Sequence, residues 1–321
     1  MGMLLIDRKD IELRQERGTL LVYERGRRSG SVPLRQLDRV VIQNRARLDT
    51  GLLGVLAEHG VGLIVLNPRF QKRTATLPAA KHGDVTRRIN QYRRSLDEVW
   101  RCHWSRMLVS RKIRAQLRVL TYALEQRPDQ RRVLIKALRE LELRLAGVRV
   151  EQELGRDSIR GIEGAAAAAY FRALSGLFPE SLGFKGRNRR PPRDPVNACL
   201  SLSYTLLHSE AVMASYAAGL EPLLGFYHDP AYGRDSLASD LIEPLRPKVD
   251  AWVWQLFRVR ELREEHFARD KGACLLIKTG RKHFYSAWAQ TAPVLQRRLR
   301  RYTALLARSL EHEDGSKRAK V

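Results

Sequence analysis

The residues of this chain best suited to chemistry are three carboxylates and an imidazole, spread over two segments. Glu163 lies in Gly161-Ile162-Glu163-Gly164, followed by five alanines and Tyr170-Phe171. Glycines and alanines let neighbouring helices approach closely, so this carboxylate is expected to face an enclosed polar site. The alternative is an Ala-rich helix with Glu163 solvated on its surface, because alanine is the strongest helix former. Downstream, Gly225-Phe226-Tyr227-His228 leads through the turn-rich Asp229-Pro230-Ala231-Tyr232-Gly233 into Ser236-Leu237-Ala238-Ser239-Asp240-Leu241-Ile242-Glu243. Brought together, such carboxylates and an imidazole would suit a metal. If the segment after Ser236 is helical, Asp240 and Glu243 share a face.

Between these acidic segments runs Lys185-Gly186-Arg187-Asn188-Arg189-Arg190-Pro191-Pro192-Arg193-Asp194-Pro195-Val196-Asn197. Its prolines and glycine bar a helix, so the cations are presented from a loop that leads into a helix capped near Asp194 or Asn197. Such a loop is suited to gripping a phosphate backbone through Lys185, Arg187, Arg189, Arg190, Arg193 and Asn197. A solvated charged loop is the other reading, and the two stand level.

Charge favours a polyanionic partner. Lys and Arg number 59 against 35 Asp and Glu, a net charge of +24, and basic residues that neutralise phosphates gain affinity by releasing counterions. The cations are spread along the chain rather than gathered in one amphipathic anchor, which speaks for nucleic acid over a membrane surface. No apolar run approaches the length needed to span a bilayer. Three widely separated cysteines, Cys102, Cys199 and Cys274, argue against a disulfide framework or a zinc ribbon and for a reducing compartment, read here as the cytoplasm. No Gly-x-x-x-x-Gly-Lys-Ser/Thr loop occurs.

The elements that must position these groups fall into two textures, giving an α+β chain. Up to residue 80, short runs such as Thr19 to Tyr23, Val40 to Ile42 and Val61 to Leu66 alternate with turn residues, as strands do. Asp49-Thr50 is placed to cap one helix carrying Leu52, Leu53, Val55 and Leu56, ended by Gly60. Residues 1–80 are thus expected to form a β-rich domain. Residues 81–312 have helical periodicity and are expected to form a larger all-α domain. One apolar stripe there runs from Leu96, Val99, Trp100 and Trp104 through Leu108 and Ile113 to Leu124, and others cover Arg131 to Leu145, Asn197 to Ala217 and Val294 to Leu310. Residues 313–321 read as a disordered polar tail.

In their order along the chain, the Glu163 segment, the Arg189-to-Ala198 segment, Gly225-Phe226-Tyr227-His228, and Ser236-to-Leu241 with Arg246-Pro247 resemble the CRISPR-associated endonuclease and integrase family, Cas-one. The segment Gly272-Ala273-Cys274-Leu275-Leu276-Ile277-Lys278-Thr279-Gly280-Arg281 extends the resemblance over nearly the whole chain. It implies a nuclease that inserts captured DNA fragments as new spacers by 3′-hydroxyl transesterification. Glu163, His228 and Asp240 would be catalytic and bind Mn²⁺ or Mg²⁺, with Glu243 a further acidic candidate. It also implies a homodimer paired through the front domain, acting on double-stranded or branched DNA with a small dimeric partner, Cas-two. The family commonly carries tyrosine where this chain has His208. That residue either lines the site and influences metal choice or is simply a half-buried polar residue on a helix. Two rival classes remain: a structure-selective repair nuclease, and a basic DNA-binding scaffold whose carboxylates are structural.

Overall fold

The structure is a computed structural model that describes residues 2–66, 75–78, 82–150, 155–188 and 191–311. Arg189, Arg190, residues 79–81 around the expected domain boundary, and the tail 313–321 lie outside the described residues. The chain divides into two compact units. The first gathers Met1–Arg88, Ser209–Glu221 and Trp288–Val321, the second Ile89–His208 and Pro222–Ala287.

Among the described residues of the first unit, the expected β-rich texture takes the form of two four-stranded sheets. One is ordered β1 (Gly2–Ile6), β5 (Leu37–Ile42), β7 (Gly62–Val65), β8 (Ala75–Leu77), with β1, β5 and β7 parallel and β8 antiparallel. The other is ordered β4 (Arg27–Pro33), β3 (Thr19–Glu24), β2 (Ile11–Glu16), β6 (Ala46–Leu48). Branched side chains from both sheets, among them Ile6, Leu13, Leu20, Val40 and Ile42, share one core with Leu52 and Leu56 of α1 (Thr50–Glu58). Asp49 caps that helix by accepting from the Leu52 amide at 2.7 Å. Gly60, at φ 68°, takes the left-handed turn that follows. Segments distant in sequence complete the unit: Arg39 pairs with Glu210 at 3.0 Å, both largely out of water.

Most of the remaining helices build the second unit: α2 (Thr86–Leu96), α3 (Glu98–Gln126), α4 (Arg131–Val150), α5 (Arg156–Ser175), α6 (Pro195–Ala217), α7 (Ser236–Ile242), α8 (Arg246–Arg258) and α9 (Lys278–Glu311). The first turn of α2, the end of α6 and the C-terminal part of α9 belong to the first unit. Two expectations need correction. The apolar stripe from Leu96 is interrupted, because Asp97 caps α3 by accepting from the Trp100 amide at 3.0 Å. Leu96 and Val99, either side of that break, are 87% and 83% exposed. The chain after residue 80 is mainly helical rather than all-α: β9 (Phe267–Asp270) and β10 (Ala273–Leu276) form an antiparallel hairpin. Its turn residues Lys271 and Gly272 both have positive φ, which is the tight turn that matches strand twist. A lysine at the first of these positions hides the signal. Among the described residues no helix is long and apolar enough to cross a membrane.

Candidate metal and phosphodiester site

Glu163 of α5 meets Glu243 through a cation. Lys112 of α3 donates to Glu163 and, at 2.5 Å, to Glu243. All three side chains are largely shielded from water, at 11%, 20% and 6% exposure for Lys112, Glu163 and Glu243. The enclosure does not come from the flanking glycines as expected: a methyl group added at Gly161 or Gly164 would meet nothing within 4 Å. It comes from the half-buried face of α5 turned toward α3, which it packs against. Burial pushes the Glu243 carboxyl up, but Arg246, 3.3 Å away, and Lys112 outweigh it and hold the group at about 2. Burial likewise opposes the Lys112 charge, and Glu243 and Glu163 overcome it, so its pKa is raised.

Asp240 has other partners. Helix α7 ends at Ile242 and the chain tightens into a single 3₁₀ turn, Glu243–Leu245, with Pro244 inside it. Asp240 is fully buried. Its Oδ2 accepts from the Phe226 and Tyr227 amides at 2.7 and 2.9 Å. Its Oδ1 accepts from the His228 amide at 3.0 Å and pairs with His228 Nδ1 at 2.7 Å. Four donors therefore saturate this carboxylate. With Nδ1 carrying the proton toward Asp240, the lone pair of the imidazole lies on Nε2. The loop holding His228 is seated tightly. A Cβ at Gly225 would come within 2.7 Å of the Ser236 carbonyl carbon and 2.9 Å of Asp240 Oδ2, while Phe226 packs edge-on against Trp100 and Trp104 of α3. Beyond it, Asp229 takes hydrogen bonds from Arg101, Arg156 and Arg160.

The electrostatics of Tyr227 show how closely these groups gather: burial first, then the charges of Glu163, Glu243 and Asp240, push its hydroxyl pKa up. Among the described residues, no three His, Cys, Asp or Glu side chains stand close enough to hold a metal as they are. The donor types nonetheless fit one. Two carboxylates bracket a cation, the Lys112 ammonium, and an oriented imidazole belongs to the same charged cluster, contributing to the depressed Glu243 pKa. Beside them is a cavity of about 140 Å³ lined by Lys112, Gln116, Glu163, Arg187, Tyr204, Arg246 and Asp250, among others.

The basic loop divides. Lys185 and Arg193 are exposed. Arg187 is turned inward, donating to Asn197 Oδ1 at 2.7 Å and Ser201 Oγ at 3.0 Å. Asn197, expected to touch nucleic acid, is fully buried. It ties the loop together by donating to Gly186 O and Asp194 Oδ2, which removes it from any direct contact. Asp194 caps α6 through the Asn197 amide at 2.8 Å. His208 lies 4.0 Å from Asp235 and is not among the residues lining the cavity. Burial lowers its pKa against the pull of Asp235. Sequence reasoning passed over Lys112, Gln116 and Asp250. Lys112 is one cation among many on an Arg-rich helix, so no local pattern could have singled it out.

Residues 4–290 match the family model described as CRISPR associated protein Cas1. A CRISPR-associated endonuclease Cas1 from Thermodesulfovibrio yellowstonii is 40% identical over 299 residues, covering 90% of this chain and 91% of that protein. Among solved structures, a casposase bound to its integration product superposes with a TM-score of 0.79 at 21% identity, covering 96% of this chain and 91% of that one. A chain of a Cas6-RT-Cas1–Cas2 complex gives 0.79 at 20% identity, over 97% of this chain and 35% of that one. At these identities the structural likenesses establish the fold, while the near full-length sequence match establishes the lineage: the chain belongs to the Cas1 family.

Proposed function

We propose that this protein is a divalent-metal-dependent DNA endonuclease and integrase of CRISPR adaptation, and that Glu163, His228 Nε2 and Glu243 hold the ion, with Asp240 orienting His228. The observation that carries this reading is the pairing of two shielded carboxylates around a cation, next to an imidazole locked by a saturated aspartate. When bound, manganese or magnesium supplies Lewis-acid polarisation of a phosphodiester. This chain's residues do the rest. Asp240 keeps the Nδ1 proton in place and so fixes the tautomer of His228. Arg246 and Lys112 bring positive charge to the cavity where a phosphate would sit. A DNA 3′-hydroxyl then forms a new bond to phosphorus as the P–O3′ bond of the target strand breaks, releasing that 3′-oxygen as an alcohol. One ester replaces another, so no nucleotide is consumed; with water as nucleophile the same site cuts.

The working assembly is a homodimer joined through the β-rich front unit, acting on double-stranded or branched DNA with a small dimeric Cas2 partner. The related Cas1 endonuclease supports this reading, as do the similar casposase bound to its integration product and the Cas6-RT-Cas1–Cas2 complex. E163Q, H228A and E243Q are each expected to reduce Mn²⁺-dependent cleavage and strand transfer on labelled DNA by at least about a hundredfold, with circular dichroism unchanged. Parental rates in all three variants would remove the site assignment. Light scattering checks the dimer, and a monomer performing two-ended insertion without the partner would overturn the assembly.

A further inference from the structure

We infer that Lys112 is the built-in counter-cation of this site: its ammonium occupies the Glu163–Glu243 pair until a divalent cation displaces it, and so sets how tightly the site takes metal. This rests on the reading that Glu163 and Glu243 are metal ligands. The two carboxylates come from separate elements, α5 and the turn after α7, and both are largely shielded from water. Like charges held together out of water need compensation, and leaving one uncompensated is costly. Lys112 Nζ bonds to both. Arg246 reaches Glu243 at 3.3 Å, and that bond leaves the Glu163 side of the pair to Lys112.

An ammonium in contact with both carboxylates cannot remain there when a doubly charged ion takes the same oxygens, because the two cations would be neighbours in a poorly screened pocket. The lysine stem can move: it is unbranched, with a compact charge at its end. It also has somewhere to go, since Lys112 lines the adjacent cavity of about 140 Å³. Metal binding therefore includes the cost of breaking an internal ion pair, and the observed affinity falls below the intrinsic one by that factor. The same displacement delivers the ammonium to the cavity in which Arg246 already sits.

The test is direct titration of the DNA-free, full-length protein with Mn²⁺, followed by the loss of the free-ion electron paramagnetic resonance signal. Wild type, K112M, K112Q and E163Q are compared. K112M is expected to bind Mn²⁺ at least about tenfold more tightly than wild type, a shift of about 1.4 kcal/mol. Its melting temperature should be lower without metal and recover more on adding Mn²⁺ than that of wild type. K112Q keeps a neutral hydrogen-bond donor between the carboxylates, folds more readily, and is expected to show the same tightening if K112M does not fold. If E163Q binds Mn²⁺ as wild type does, the ligand assignment fails and this inference with it. If binding depends on Glu163 but both Lys112 variants bind equally or more weakly, the ligand assignment stands and the counter-cation role is overturned.

Discussion

Asp250 lines the cavity yet is almost completely shut off from solvent, and its pKa is raised to about 6. Burial is the main cause, opposed by the Tyr204 hydroxyl, which donates to Oδ1. The folded protein thus holds this proton more tightly than the unfolded chain does. Between the unfolded value of 3.8 and about 6, stability is lost as pH rises. Glu243 works in the opposite sense: its pKa is depressed to about 2, so its contribution is present above 4.5 and lost as pH falls below that. D250N removes the Asp250 effect alone. Its urea-unfolding stability relative to wild type is expected to be higher at pH 7 than at pH 5 by about 1 kcal/mol. A difference that does not change with pH would mean that Asp250 is ionised throughout. At this scale the sequence showed which acids are present and in what order, but not which way each faces. Asp240 and Glu243 are three residues apart, yet Asp240 is taken up by the Phe226-to-His228 segment and Glu243 by Lys112 and Arg246, a division that only the tertiary neighbours decide.

Elements whose signals are local were legible. The Asp49 cap, the left-handed Gly60 and the alternating strands of the front region each depend on a few adjacent residues. The break at Asp97 was not, because Leu96 and Val99 continue the apolar spacing across it while facing water. Nor was the β9–β10 hairpin, whose turn uses lysine where asparagine or aspartate would have announced it. Gly225 lies between these cases. It stood out in the sequence beside His228, but its reason is tertiary: the Ser236 backbone and the Asp240 carboxylate leave no room for a methyl group. G225A should therefore push the Phe226-to-His228 amides off Asp240. Overpacking of this kind is expected to lower unfolding stability by about 1–3 kcal/mol and to speed hydrogen exchange at residues 226–228, with the Asp194 cap of α6 undisturbed. Wild-type exchange in that segment would show that the loop does not depend on this close contact.

For the molecule as a whole, segments far apart in sequence combine in one unit, with Ser209–Glu221 and Trp288–Val321 joining the front sheets. No pattern of local periodicity carries that information, because each helix reads the same wherever it docks. Charge, by contrast, is a whole-chain property that survives any folding. At +24, and with Lys185 and Arg193 exposed on the loop before α6, the protein is expected to bind DNA mainly through phosphates. Fluorescence anisotropy across a salt series should give a log–log slope of roughly −4 to −7, corresponding to about five to eight phosphates neutralised. K185E and R193E should each weaken binding equally for unrelated sequences and make the slope shallower by about one, because each removes a phosphate contact without touching a base. E163Q, which removes a negative charge next to the cavity, should leave the slope unchanged while lowering turnover by at least about a hundredfold. An affinity independent of salt, or a loss in K185E and R193E confined to one sequence, would count against phosphate-led binding, whatever the fate of the metal site.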